Sequence, residues 1–130
     1  MNTILWTSQV LLAVTFLYSG INKSRLSEEQ LITKGQTGVV GKSAATIHFI
    51  GIIEILGAIG LILPWGMNIL PVLTPVSAAG FAIIMLLAAP IHYRLKEPKN
   101  VAINLTLLAL SLFVAIGRFA EIGMGSGNLR

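Results

Sequence analysis

The sequence predicts an all-α integral membrane four-helix bundle in a single domain, and three observations carry that prediction. Of the 130 residues, 55% are hydrophobic and only 11% are charged, whereas a soluble domain carries about 25% charged residues. The mean hydropathy is +0.84, which leaves too little polar surface to cover a soluble core. The third observation is where the charges fall. Counting Asp, Glu, Lys and Arg, there is none from Met1 to Asn22, only Glu54 between Ser43 and Tyr93, and none from Asn100 to Gly117. Prolines and polar breaks divide these tracts into four spans, each near the ~20 residues that cross a ~30 Å hydrocarbon core. A helix satisfies its own backbone hydrogen bonds in lipid, so helices are the expected form.

The first span covers residues 3–20. No Lys or Arg precedes it and no small-x-small cleavage site follows, so it reads as a retained span and not a cleaved signal. Residues 21–45 form a long loop for a bundle. Within it, "SEEQLITK" is a capping box, with Ser27 as N-cap, an acidic first turn and Gln30 at N3. It predicts a short surface helix with Leu26, Leu31 and Ile32 toward lipid. The glycine-rich "KGQTGVVGKSA" that follows resembles a phosphate-binding loop only in part. Counting back from Gly41, Lys42 and Ser43, the required first glycine falls on Gln36, and no strand precedes it.

The second span covers residues 46–63, with Pro64 as its stop. A short loop, "PWGMN", leads to the third span, residues 70–90, with Pro71 and Pro75 in its first turns and a kink expected near Pro75. Pro90 and Pro98 bracket the third loop, and the fourth span covers residues 100–118. No internal repeat supports a two-halves transporter.

Charge sets an orientation. The first loop carries Lys23, Arg25, Lys34 and Lys42, and the third Arg94, Lys96 and Lys99; the opposite face has only Arg118 and Arg130. The positive-inside rule then places both loops in the cytoplasm and both termini outside, with Trp6 and Trp65 at the outer boundary. The net charge of +4 fits contact with anionic lipid. A nucleic-acid partner is not expected, because the chain has no room for a basic soluble face. With no cysteine, thiol redox catalysis and thiolate metal sites are excluded, and no metal site is expected.

The polar residues within the spans form two layers. At ~1.5 Å per helical residue, Glu54 lies ~12 Å from the loop end of the second span. It shares a face with Ile47, Gly51, Ala58 and Leu61, and small neighbours allow another helix to approach. The fourth span repeats Asn104, Ser111 and Arg118 at seven-residue spacing, and the first span has Gln9, Phe16 and Lys23 at the same spacing. An inner layer of Ser19, Lys23, Glu54, His92 and Asn104 results, and an outer layer of Gln9 and Arg118. Glu54 and Arg118 differ in depth by ~15 Å, so Lys23 and His92 are the expected partners of Glu54. An ionisable group inside a membrane segment is a functional candidate by default.

The segments "LLAVTFLYSGINK", "GIIEILGAIGLILP", "AAPIHYRLKEP" and "NLTLLALSLFVAIGR", in this order, resemble the DoxX-like family of small four-helix membrane proteins. The resemblance covers nearly the whole chain. It marks Ser19, Gly20, Lys23, Glu54, Gly57 and Pro64, and further along His92, Asn104, Gly117 and Arg118. It implies an accessory part of a membrane oxidoreductase complex, in a bacterial inner membrane. The chain has no haem or iron–sulfur ligand set and carries no redox chemistry of its own. It therefore implies no intrinsic cofactor, but a quinone or lipid as ligand, with a membrane protein or a second copy as partner.

Four function classes follow. The first is a binding or accessory module whose polar pocket is built from Glu54, His92, Lys23, Asn104 and Ser19, with Arg118 and Gln9 as further candidates. The second is a small proton-coupled transporter. That reading has two points against it: Glu54 lies in the second span, where small multidrug exporters carry theirs in the first, and the loop charges are strongly biased. The third is an enzyme on a membrane-soluble substrate, with Glu54 and His92 as acid–base pair, for which the two must approach within ~3 Å directly or through one water. The fourth is a membrane-protein assembly factor.

Overall fold

The computed structural model describes residues 1–124. Its elements are α1 (Asn2–Arg25), α2 (Glu28–Thr33), a single 3-10 turn (Thr37–Val39), α3 (Ala44–Met67), α4 (Leu73–Arg94) and α5 (Pro98–Met124). No strand occurs among the described residues. α1, α3, α4 and α5 are each long and apolar enough to cross a membrane. Arg130, counted above for orientation, lies outside the described residues.

α1, α3 and α5 outrun their predicted spans at both ends because helical geometry continues past the apolar tract, whereas α4 starts three residues later than the predicted span and ends four residues beyond it. Pro64 does not stop α3, and Pro90 does not stop α4; both lie inside their helices. A proline at position i removes the hydrogen bond to the carbonyl of i−4. For Pro64 that carbonyl belongs to Gly60, and the Thr74 hydroxyl donates to it at 2.9 Å. A tertiary bond thus replaces the missing helical one, and α3 runs on to Asn68, whose left-handed conformation (φ 55°) ends it. Pro71 lies in the turn before α4 and not in its first turn, while Pro75 sits within that first turn. Pro98 opens α5, where a missing N–H is harmless.

The inward faces follow helical spacing. α3 buries Ile47, Gly51, Glu54, Ala58, Leu61 and Trp65. α1 buries Leu5, Gln9, Leu12 and Phe16, and Phe16 stacks on Phe81 of α4 with ring centroids 3.8 Å apart. Large apolar residues such as Val14, Phe49, Leu87 and Ile116 point outward and are exposed. That arrangement suits acyl chains and would be costly in water.

α1 packs along α3, and α4 along α5. The two pairs meet closely in the half of the bundle that carries the termini. There, Gly117 lies against Leu5, Gly57 against the Phe81 ring and Gly60 against Ser77. In the other half, which carries the two longer loops, a cavity lies between the pairs.

The predicted capping box forms: the Ser27 hydroxyl accepts from the Gln30 N–H, and the Ser27 N–H donates to Gln30 Oε1 at 3.0 Å. Leu31, however, faces inward. It is fully buried against Val39 and Ile47, and Leu26 packs on the same cluster. Burying Leu31 ties α2 and the 3-10 turn to the start of α3, so residues 26–43 form a folded cap instead of a helix lying in lipid.

Candidate functional site

Glu54 is 99% buried, since only 1% of it is exposed, and its position follows from two glycines. Gly20 on α1 and Gly51 on α3 bring the helix backbones into contact, which places Ser19 and Lys23 beside Glu54 one turn along α3. The Lys23 ammonium lies 3.3 Å from Oε1 and 3.1 Å from Oε2, and the Ser19 hydroxyl donates to Oε1 at 2.9 Å. A buried carboxylate is tolerated when its charge is matched and its oxygens are hydrogen-bonded. Lys23, whose side chain keeps 17% exposure, matches it here.

His92 belongs to a different group. Its Nδ1 lies 2.8 Å from Glu97 Oε1, which also accepts from the Thr37 hydroxyl at 2.7 Å and from Asn100 Nδ2 at 3.2 Å. Glu97 lies in the turn before α5, outside the spans. These hydrogen bonds, Thr37's first and then those of His92 and Asn100, lower its pKa from 4.5 to about 2. An ionised carboxylate only accepts, so the proton of a neutral His92 sits on Nδ1. The expectation that His92 pairs with Glu54 is corrected: among the described residues no hydrogen bond joins them. Glu97 is nearer, because the turn after α4 folds it back over His92.

The Lys23–Glu54 group and, from the second group, His92 and Asn100 line one cavity of about 630 Å³. Ser19, Lys23, Glu54, His92 and Asn104 are among its polar lining residues, with Thr15 and Asn100; Phe16, Ile53, Met85 and Leu107 are among its apolar walls, and Gly35, Gln36, Gly38, Val39 and Lys42 of the cap line its loop end. Asn104 is 7% exposed, and among the described residues its Nδ2 has no hydrogen-bond partner; nor has the Oε1 of Gln36, in the cap. The inner layer read from the sequence is therefore gathered around one space, though not into one hydrogen-bonded cluster.

Gln9 and Arg118 do not line this cavity. Arg118 is fully buried at the other end of the bundle. Its Nε donates to Gln9 Oε1 at 2.7 Å, and one terminal nitrogen donates to Asn2 Oδ1 at 2.9 Å and Glu121 Oε1 at 2.8 Å. The guanidinium also lies 4.5 Å from the Trp65 ring and 5.7 Å from that of Trp6. Gln9 Nε2 donates to the Leu61 carbonyl at 2.6 Å. This is a clamp joining α1, α3 and α5.

Sequence reasoning missed Glu97, Thr37, Asn2 and Glu121. Glu121 is three residues after Arg118, a helical pairing distance, and was legible. Glu97 just before Pro98 carried a weaker signal, an acidic residue at a helix start.

Four apolar helices around a buried ion pair define a small integral membrane protein. Residues 7–114 match the family model of the DoxX-like family, and the chain belongs to that family. No curated protein and no solved structure matches it.

Proposed function

We propose that the protein is a membrane-embedded binding module, accessory to a membrane oxidoreductase, that holds the polar head of a quinone or lipid beside Lys23 and Glu54. The observation that carries this reading is a cavity of about 630 Å³ with mostly apolar lining and a matched ion pair in its wall. Binding sites for small amphiphiles combine apolar walls with a few placed polar groups. Asn104 Nδ2, without a partner among the described residues, adds a donor for a carbonyl or hydroxyl oxygen. The Lys and Arg bias of the loops supports a reading in which this half of the bundle faces the cytoplasm. No cofactor is needed for such a role.

The transporter and enzyme readings both require Glu54 to exchange a proton. Its two oxygens are held by Lys23 and Ser19, and His92 is held by Glu97, so neither reading is favoured. The test is native mass spectrometry of the protein released from nanodiscs, with solvent extraction of what it carries. A bound quinone or lipid, lost in Glu54→Ala, is the expected result. Wild-type protein that carries no small molecule, with a water-filled cavity, would rule the reading out.

A further inference from the structure

The cavity has sides as well as a capped end. On α3, Phe49, Ile50 and Ile53 line it on the edge that faces α4, the edge that deeper in the bundle carries Gly57 and Gly60. On α4, Ile84, Leu87 and Ile91 line it on the edge that deeper in the bundle carries Ser77. Where those glycines sit, the helices touch. One to two turns nearer the loops, the same edges border open space. Phe49 is 64% exposed and Leu87 68% exposed, yet both line the cavity. Tyr18 of α1 and Ile103 of α5 are likewise exposed and line the cavity, and between α3 and α4 it reaches the lipid-facing surface through a window. The window is rimmed by apolar side chains only, and hydrocarbon can occupy it without desolvating a polar group.

The end facing the loops is built differently. Thr37 bonds to Glu97, which holds His92, and Gly38 lies against the His92 ring. Lys42 donates to the Gly38 carbonyl at 2.8 Å. A solute from water would have to displace this cap, whereas a lipid tail meets no such obstacle at the window.

The charges limit the head. The cation and the carboxylate deep in the cavity, Lys23 and Glu54, neutralise each other. His92 already faces a carboxylate, and Lys42 is held within the cap. A phosphate head seated beside Glu54 would have to break the Lys23–Glu54 pair to gain a counter-charge there; Lys42, bonded only to a neutral carbonyl at the loop end of the cavity, is the cation an anionic head would have to reach instead. An uncharged head with carbonyl or hydroxyl oxygens leaves the pair intact and can accept from Asn104 Nδ2, which has no partner among the described residues.

Resting on the binding reading above, we infer that the site takes an uncharged-headed, tailed amphiphile directly from the adjoining leaflet. The tail passes between α3 and α4, and the head stops beside Lys23, Glu54 and Asn104.

The experiment measures binding to the full chain in nanodiscs. The probes are decyl-benzoquinone and 1-monoolein as uncharged tailed heads, dodecyl phosphate as the anionic head, and tail-less dimethoxy-benzoquinone. Wild type is expected to bind at least one uncharged tailed probe at least about tenfold more tightly than the other two. Ala88→Trp fills the space behind the window and should weaken the tailed probe by about tenfold or more. Ile83→Trp, on the exposed face of α4 and outside the cavity lining, should not. If Ala88→Trp does not fold, Leu87→Cys replaces it. The chain has no other cysteine, and a bound tailed probe should slow its modification by pyrene maleimide. Equal or tighter binding of dodecyl phosphate overturns the uncharged head. Unaltered binding by Ala88→Trp, or no protection of Leu87→Cys, overturns the route while leaving the binding reading in place. Wild type that binds none of the probes, yet still carries an extractable ligand lost in Glu54→Ala, overturns this inference alone. No binding and no extractable ligand overturns both.

Discussion

Gly20 and Gly51 cross with their backbones in contact. A β-carbon on Gly20 would lie 2.7 Å from the Gly51 carbonyl oxygen, and one on Gly51 would lie 2.8 Å from that of Gly20 and 2.7 Å from the Ser24 nitrogen. The obstacle in each case is backbone, which cannot rotate aside. Gly51→Val should therefore force α1 and α3 apart and stretch the Lys23–Glu54 pair. Overpacking of this kind costs about 1–3 kcal/mol. Thermal unfolding in detergent should show the loss, and Gly80→Val, whose β-carbon meets nothing within 4 Å, should lie near wild type. A Gly51→Val protein as stable as wild type would mean the crossing is looser than described.

The ion pair behaves as a unit. Removing one partner leaves an uncompensated charge in the bundle, which for a fully sealed pair costs about 3–5 kcal/mol. Lys23 keeps 17% side-chain exposure, so a loss of about 2 kcal/mol is expected for Lys23→Met or Glu54→Met alone. The double variant has no charge left to strand and should be more stable than either single one. A double-mutant cycle on unfolding free energies measures the coupling; simple additivity would show that the two residues do not act together.

The spans and the polar layers were legible for one reason: a polar residue in an apolar tract stands out, and helical spacing assigns it a face. That logic placed Lys23 and Ser19 near Glu54, and Gln9 near Arg118. Interactions that depend on a distant carbonyl were not legible. Pro64 read as a stop because the sequence does not show that Thr74 stands ready for the Gly60 carbonyl. His92 was assigned to the wrong carboxylate because Glu97 reaches it only through the path of the turn after α4, and a periodic pattern carries no such information. The inward turn of Leu31 likewise depends on where the 3-10 turn brings Val39.

Glu97 makes the cap sensitive to acid. Its pKa falls from 4.5 to about 2 on folding, so the carboxylate's contribution is fully present above pH 4.5 and is lost as the pH falls through about 2. His92 and Thr37 face it from α4 and the cap, and Asn100 from α5. A spin label on Val40→Cys, an exposed site in the cap, should be immobile at neutral pH and gain mobility between pH 4.5 and 2. Glu97→Gln should show the mobile spectrum already at neutral pH. A spectrum unchanged by either treatment would mean that Thr37–Glu97 does not hold the cap down.

Arg118 should not tolerate lysine. Its planar fork donates to Gln9, Asn2 and Glu121 in different directions while lying 4.5 Å from the Trp65 ring. An ammonium is a compact point charge that cannot span those acceptors or stack in the same way. Arg118→Lys leaves the buried acceptor on Gln9 short of a donor, a loss of about 1–3 kcal/mol, and gives up the bond to the exposed Asn2 as well. The loss should appear as a lower melting temperature, with the Gln9→Leu variant less affected because Arg118 keeps its other partners. The protein's only two tryptophans, Trp6 and Trp65, both face this guanidinium, so their emission should shift in Arg118→Lys and not in Lys23→Met. Emission that responds equally to both changes would indicate that the two polar layers are coupled along the bundle and do not act as separate fastenings.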